Sequence, residues 1–153
     1  RALERFGDDA VAALPALVEN LYYPNEQLSA VRLEAAYAIA RLGPSAKDAV
    51  PDLLVALQSD RDTDVRETSV YALGEIGDPS AVPGLAAALF EENARSLNLS
   101  ITSAEVISSL TGVWFPDVGG GGYRLDEDGN PLIVIAARRW WKEEGQYQDW
   151  NNR

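Results

Sequence analysis

DVRETSVYALGEIGDPSAVPGLAAAL, residues 64–89, contains a pattern that recurs on both sides of it in the chain. Apolar residues three and four positions apart, ending at Ile76, predict one helix, and Gly77 follows where a left-handed cap is favoured. Asp78 then supplies a cap and Pro79 a first helical residue for a second helix. This stretch therefore predicts a helix, a tight turn and most of a second helix.

The first helix of this stretch recurs upstream at a constant offset in the numbering. The matching pairs are Val31-Arg32 and Val65-Arg66, Tyr37 and Tyr71, Ala38-Ile39 and Ala72-Leu73, and Leu42-Gly43 and Ile76-Gly77. A more degraded copy lies at the same offset downstream, where Leu99, Val106 and Leu110 keep the apolar spacing and Ser100 replaces the arginine. A helix pair of this size cannot bury its apolar stripe alone, so the units are expected to stack.

The other helix of each unit is marked by a proline, at Pro15, Pro51 and Pro83. Leucines and valines follow each proline three and four positions apart, which places them on one stripe of a helix. Because these prolines lie beyond the first helical position, each helix is expected to begin late or to kink slightly there.

These motifs resemble the HEAT-like repeats of phycobilisome lyase subunits and of many bacterial proteins without an assigned activity. The resemblance rests on the Val-Arg pairs, the Ala-Leu-Gly-x-Ile-Gly turn at 72–77 and the Ala-Val-Pro opening at 81–83, and it covers residues 1 to about 112. It implies an all-α fold, an α-α superhelix of the HEAT-like solenoid type. Such motifs indicate the fold and carry little information about activity.

The pattern changes at 111–131, TGVWFPDVGGGGYRLDEDGNP, which predicts a long connection. A helix is then expected from Pro131 to Glu144, with Asn130 as its cap and two tryptophans near its end. Alternatively, Leu132–Ile135 forms a strand that pairs with Tyr123–Leu125 across the DEDGN turn. A Leu-Thr-Gly segment followed by a Trp-Trp-rich helix resembles the C-terminal end of other bacterial HEAT-like arrays.

We therefore expect a single α-solenoid domain over 1–153, with repeats at 1–112 and a C-terminal loop and Trp-rich capping helix at 113–153. Phe6-Gly7 aligns with Leu42-Gly43, so the first repeat is expected to be truncated and the array to continue upstream.

Composition argues against several kinds of function. The 24 acidic and 13 basic residues give a net charge of -11, which would repel the phosphate backbone of nucleic acids. The chain has no His and no Cys, which removes the commonest general base and the thiolate metal ligands. No apolar run is long enough to cross a bilayer. We predict no catalytic residues, no metal site, no cofactor, no nucleic-acid partner and no membrane insertion; the compartment is open, with the cytoplasm favoured.

Helical projection gives the strongest candidate for a functional surface. In the helix of each repeat that contains the Val-Arg pair or its equivalent, the apolar positions are expected to face the core. One row of residues then faces outward along the inner, concave surface of the stack. The predicted partner-binding residues are Glu34, Tyr37, Arg41, Thr68, Tyr71, Glu75 and Glu105. The two tyrosines suit an interface, since each combines a large contact area with a polar tip. Alternatively, each ring packs on its neighbour as part of the core between repeats.

Other candidates have structural interpretations. Arg32 and Arg66 are expected to donate to loop carboxylates and carbonyls between units. The glycine run at 119–122 lacks the Gly-Lys-Ser/Thr that a phosphate-binding loop requires. The acidic segment 126–130 lacks the glycine and the glutamate of a calcium-binding loop and is expected to be a turn. The aromatic residues are expected to cover the open end of the stack, namely Trp114, Phe115, Trp140 and Trp141.

The sequence thus predicts a non-catalytic scaffold that binds another protein through the concave face of the array. The alternative, which follows from the resemblance alone, is a phycobilin lyase-like subunit or an accessory component of an enzyme. That activity requires groups that hold the propionates of a tetrapyrrole, and only Arg138-Arg139 brings arginines together for this purpose.

Overall fold

The computed structural model describes residues 11–22, 28–91, 97–116 and 124–152, and within them the regular structure is helical. The all-α prediction is confirmed. The α-helices are α1 (Leu14–Leu21), α2 (Ser29–Leu42), α3 (Val50–Ser59), α4 (Thr63–Ile76), α5 (Val82–Ala88), α6 (Leu97–Thr111) and α7 (Leu132–Glu143). The predicted remnant helix at 1–6 and the glycine run at 119–122 lie outside the described residues.

The chain divides into two compact units, Arg1–Asp78 and Pro79–Arg153. We refer to them as unit 1, which contains α1 to α4, and unit 2, which contains α5 to α7. The expectation of one domain over 1–153 stays a prediction.

The period of the sequence is visible in where the helices begin. The helices α2 and α4 start at equivalent positions, Ser29 and Thr63, and the third copy lies within α6, Leu97–Thr111. The degraded third copy therefore forms the predicted helix. The third copy has lost the Val-Arg pair, but it keeps the apolar spacing that predicts a helix. Two residues at these apolar positions, Leu99 and Ile107, are fully buried.

Unit 1 is built from two helix pairs that share one core. α2 packs against α1 and α4, and α4 packs against α3. The largest fully buried side chains of this unit include Ile39, Leu53, Leu57 and Leu73. Full burial of each such side chain stabilises the folded state by about 1.5–3 kcal/mol. A single helix pair would leave part of this apolar surface exposed and would lose part of that stabilisation.

The three prolines lie at the second residue of α1, α3 and α5. The first four N–H groups of a helix have no partner within the helix, so a proline there removes no hydrogen bond. The helices begin immediately before the prolines, which confirms the expected late start. Short 3-10 turns, Gly43–Ala49 and Pro79–Ala81, precede α3 and α5.

Gly77 ends α4 in the left-handed conformation, at φ 76° and ψ 20°, as the sequence predicts. A Cβ at this position would meet no atom within 4 Å, so another residue would not clash with its surroundings. The cost of a substitution therefore comes from holding the new residue at a positive φ. We expect Gly77→Ala to lower the free energy of unfolding by about 1–2 kcal/mol. Gly77→Asn is the matched variant and should cost less, because asparagine tolerates this conformation. Equal stability of Gly77→Ala and the parent protein in urea unfolding would contradict the assignment.

In unit 2, α6 packs against both α5 and α7, and an aromatic cluster covers the C-terminal part of α7. The centroid of the Trp140 ring lies 5.8 Å from that of Phe115 and 6.1 Å from that of Trp150. Trp150 is 5% exposed and folds back so that its Nε1 donates to the carbonyl oxygen of Gly145 at 2.8 Å. Trp114 is the exception to the predicted cap, because it is 73% exposed.

The turn that precedes α7 is held by one carboxylate. Oδ1 of Asp126 accepts the backbone N–H groups of Asp128 at 3.0 Å and Asn130 at 2.8 Å. The hydrogen bond from the Asn130 backbone is the main cause that lowers the pKa of Asp126. Segment 126–130 is therefore the predicted turn, closed by a single antiparallel bridge between Leu125 and Pro131.

Two expectations about α7 are corrected. The helix begins at Leu132 with Pro131 as its N-cap, because the side chain of Asn130 is bonded to the Asp126 carboxylate instead of to the helix. The alternative strand at Leu132–Ile135 is wrong, since these residues are the first turn of α7.

Candidate functional site

Tyr37 on α2 and Tyr71 on α4 form an exposed aromatic pair. Their side chains are 46% and 47% exposed, and their ring centroids lie 6.4 Å apart at an interplanar angle of 57°. The sequence offered two alternatives for these rings, exposure on a surface or packing on each other. The structure combines them, because the rings contact each other and still present about half of their area to solvent.

The pair arises from the repeat itself. α2 and α4 lie side by side, and the two tyrosines occupy equivalent positions in the two helices. The flanking residues Ala36 and Ala72 are fully buried, which fixes the rotation of each helix and turns the tyrosines outward.

Charged residues border the tyrosines on the same two helices. Glu34, Arg41 and Glu75 all retain exposed surface. We call the five residues Glu34, Tyr37, Arg41, Tyr71 and Glu75 the tyrosine row. It combines two aromatic rings with two carboxylates and one guanidinium, a set that suits a protein surface of basic or mixed charge.

Thr68 does not belong to this surface, although the sequence placed it there. It is only 5% exposed, and its Oγ1 donates to the backbone oxygen of Asp64 at 2.7 Å. A short side chain bonded back to its own helix does not extend past its neighbours, whereas the longer Glu34 at the equivalent position of α2 is more exposed.

Glu105, the remaining predicted contact residue, lies on α6 in unit 2. It is half-buried and takes part in a polar interaction. Its role in binding a partner stays a prediction.

An open groove of about 490 Å³ lies between α1 and α2, and Glu34 belongs both to the groove and to the tyrosine row. The other residues that line it are Leu17, Asn20, Ala30, Val31, Ala35 and Ala38. The small alanine side chains leave the space, and the lining is mainly apolar. The groove therefore offers room for an apolar side chain of a partner beside the tyrosine row.

A buried ion pair fixes the loop that leads into α4. Nε and Nη2 of Arg32 donate to the two carboxylate oxygens of Asp60 at 2.7 and 3.0 Å, and the two side chains are only 9% and 7% exposed. Oδ1 of Asp60 also accepts the backbone N–H of Asp62 at 2.9 Å. The bidentate geometry ties α2 to the loop between α3 and α4, which confirms the structural interpretation of Arg32.

The loop is also held by Asp62, the N-cap of α4, which accepts the backbone N–H of Asp64 at 2.9 Å. A hydrogen bond from the Ser29 side chain is the largest of the causes that lower the pKa of Asp62. The carboxylate thus connects the first residue of α2 with the first turn of α4.

The positions equivalent to Arg32 also have structural roles. Nε of Arg66 donates to the backbone oxygen of Leu57 at 2.6 Å, and Oγ of Ser100 donates to that of Ala88 at 3.1 Å. In both cases the acceptor lies near the end of the preceding helix, where carbonyl groups lack partners within the helix. The third repeat therefore keeps this contact even though serine has replaced arginine.

Sequence reasoning missed Phe90, which follows α5 and is 36% exposed. Its ring centroid lies 5.8 Å from Cζ of Arg138 and 5.4 Å from Nζ of Lys142. The spacing of the two cations, one helical turn apart on α7, was a signal that they share a face.

The described residues contain neither a metal-binding cluster nor a membrane-spanning helix. No group of three or more His, Cys, Asp or Glu side chains in them is placed to hold a metal ion. None of their helices has the length and apolar character needed to cross a bilayer.

Comparison with known proteins identifies a repeat family. A family model described as HEAT repeats matches residues 15–104, from the second residue of α1 to the middle of α6. No curated protein matches the chain. The resemblance to the repeats of phycobilisome lyases stays a prediction.

Proposed function

Because the chain belongs to the HEAT repeat family, we propose that it is a non-catalytic scaffold that binds a partner protein through the tyrosine row. HEAT repeats commonly mediate protein–protein interaction, and the family generally serves as scaffolding rather than as enzymes. The observation that carries the proposal is the pair of half-exposed tyrosine rings on neighbouring helices.

Exposed tyrosines are suited to this role by their physical chemistry. A tyrosine buries about 150–250 Å² when it is covered, and it loses little conformational entropy because it has only two side-chain torsions. Tyr37 and Tyr71 already restrain each other through ring contact, so covering them requires little further ordering. A partner that covers both rings would gain the central aromatic contact that dominates most protein interfaces.

The charges around the rings indicate the chemistry of the partner. Unit 1 carries 14 acidic and 7 basic residues in its sequence, and two of the three charged members of the tyrosine row are glutamates. Such a surface attracts basic segments and repels polyanions. The proposed partner is therefore a protein with a basic or mixed contact surface rather than a nucleic acid.

The proposal is tested with the double variant Tyr37→Glu/Tyr71→Glu in a quantitative pull-down from extract of the cells that make the protein. Capture of the partner is expected to fall by more than about tenfold, since a carboxylate replaces each aromatic contact. The melting temperature should change little, because substitutions at exposed positions usually alter the free energy of unfolding by less than about 0.5 kcal/mol.

The matched control is Val55→Glu/Tyr147→Glu, which adds the same charge at two exposed positions outside the tyrosine row. It should leave capture unchanged. Equal loss of capture in both double variants would show that added negative charge, and not the tyrosine row, is responsible. Unchanged capture by Tyr37→Glu/Tyr71→Glu would contradict the proposal directly.

A further inference from the structure

The aromatic ring of Phe90 lies beside two cations of α7 in unit 2. Cζ of Arg138 and Nζ of Lys142 are 5.8 and 5.4 Å from its centroid, within the range of cation–π attraction. The ring remains 36% exposed. An apolar face and two positive charges are thus presented together.

Arg138 is fixed by the protein. Its Nε donates to the backbone oxygen of Leu89, the residue before Phe90, and its side chain is half-buried. That bond uses one of the five N–H donors of the guanidinium group. Arg138 therefore has a structural role and also contributes charge to the surface.

The next cation, Arg139, is held more weakly. Its Nε lies 3.0 Å from Oε1 of Glu143, and the two side chains are 77% and 57% exposed. An exposed ion pair of this kind contributes less than about 1 kcal/mol. A carboxylate from a partner can therefore take the place of Glu143 at little cost.

The positive charge of this surface contrasts with the rest of the chain. Four Lys or Arg residues occur in the described part of unit 2, and three of them lie close together on α7: Arg138, Arg139 and Lys142. The whole chain has a net charge of -11. Within the described part of unit 2, positive charge is thus concentrated on α7.

An open recess of about 500 Å³ runs along these residues. It is lined by Ile135, Arg138, Arg139, Lys142 and Glu143, and Ile135 is 37% exposed. Its size is in the range of sites that accommodate a few side chains. Ile135 supplies apolar contact in the recess and the cations supply charge, while the ring of Phe90 lies against Arg138 and Lys142.

We propose that this surface, the basic patch of Phe90, Ile135, Arg138, Arg139 and Lys142, binds a short acidic segment of a partner protein. Carboxylates of the segment pair with Arg139 and Lys142, and an aromatic or aliphatic residue of the segment packs on Phe90 and Ile135. The inference concerns unit 2 alone and does not depend on the tyrosine row.

Charge complementarity favours a short peptide over other anions. Double-stranded nucleic acid carries one negative charge per about 1.7 Å, so it would extend beyond three cations onto a surface with a net negative charge. Stable binding to anionic membranes takes a larger cluster, of about 4–8 basic residues. A few carboxylates fit within the reach of this patch.

The test uses a fluorescein-labelled peptide of glutamates with one phenylalanine and one leucine, titrated with the whole protein at low ionic strength and followed by fluorescence anisotropy. Arg139→Gln/Lys142→Gln is expected to weaken binding by about tenfold at low ionic strength, because exposed charges mainly steer association and their loss lowers the association rate. Arg61→Gln/Arg124→Gln is the matched control. It removes the same charge at exposed positions outside the patch and should change binding by less than about twofold.

A peptide with glutamines in place of the glutamates should not bind. The proposal is overturned if the parent protein shows no saturable binding, if both double variants lose affinity equally, or if the glutamine peptide binds as well. Tighter binding of a single-stranded oligonucleotide or of phosphatidylserine vesicles than of the acidic peptide would assign the patch to a different class of ligand and would also overturn it.

Discussion

Replacing Arg32 with methionine is expected to lower the free energy of unfolding by about 3–5 kcal/mol. Methionine keeps much of the aliphatic volume but removes the guanidinium group that pairs with Asp60. The Asp60 side chain is only 7% exposed, so its carboxylate would remain in a partly desolvated site without its main counter-charge. Urea unfolding should be followed by far-UV circular dichroism, because the four tryptophans all lie in unit 2 and do not report on unit 1.

Arg61→Met is the matched control, because Arg61 is exposed and lies next to Asp60 in the sequence. It should lower the free energy of unfolding by less than about 1 kcal/mol, because the interaction that Arg61 makes is exposed to solvent. Adding Asp60→Asn to Arg32→Met should recover part of the loss, since the unpaired charge is then removed. A loss below about 1 kcal/mol in Arg32→Met would show that water already screens the pair and that it does not fix the loop.

Trp140→Ala is the second large effect that we expect, a loss of about 3–5 kcal/mol. Trp140 is 7% exposed and contacts the rings of Phe115, Trp141 and Trp150, so its removal leaves a cavity among aromatic residues. Its Nε1 is buried and has no acceptor among the described residues. Trp140→Phe should therefore cost clearly less than Trp140→Ala, because it keeps a ring and removes this unpaired donor.

Trp114→Ala serves as the control for Trp140→Ala, since Trp114 is 73% exposed. It should leave the free energy of unfolding unchanged within about 0.5 kcal/mol when guanidinium unfolding is followed by circular dichroism. Similar losses for Trp114→Ala and Trp140→Ala would contradict the distinction between the buried cluster and the exposed ring.

The repeat part of the fold was predictable because it depends on local and periodic signals. The helix starts at Ser29 and Thr63 follow the period of the sequence, and Gly77 ends its helix with the left-handed geometry that glycine favours. Each of these features is decided within one or two turns of helix. The matched residues 15–104 confirm the family that the motifs suggested.

The C-terminal segment was predicted less well because its contacts are not periodic. Trp114 was expected to be part of the cap, but it is exposed. Trp150, in contrast, is 5% exposed and donates a hydrogen bond to Gly145. Asn130 is a good capping residue, but Asp126 competes for its side chain. Such outcomes depend on which of two partners a polar group meets, and composition does not contain that information.

The candidate surface was predicted in outline. Helical projection correctly placed Tyr37 and Tyr71 on exposed ridges. It failed at Thr68, because the hydrogen bond from the hydroxyl to the Asp64 backbone oxygen lowers the free-energy cost of burying this side chain. The basic patch was predictable only in part. The spacing of Arg138 and Lys142 indicated a shared helix face, but Phe90 is far from them along the chain and only the packing of unit 2 brings it to them.

The most direct test of the proposed function is photo-crosslinking from within the tyrosine row. A benzoyl-substituted phenylalanine is introduced at position 71 and, in a separate variant, at position 147, where the tyrosine is 77% exposed and lies outside the row. Both proteins are irradiated in the cells that make them, and crosslinked proteins are identified by mass spectrometry. We predict a specific partner crosslinked from position 71 and not from position 147. The same proteins crosslinked from both positions, or none from position 71, would contradict the assignment of the tyrosine row as the binding surface.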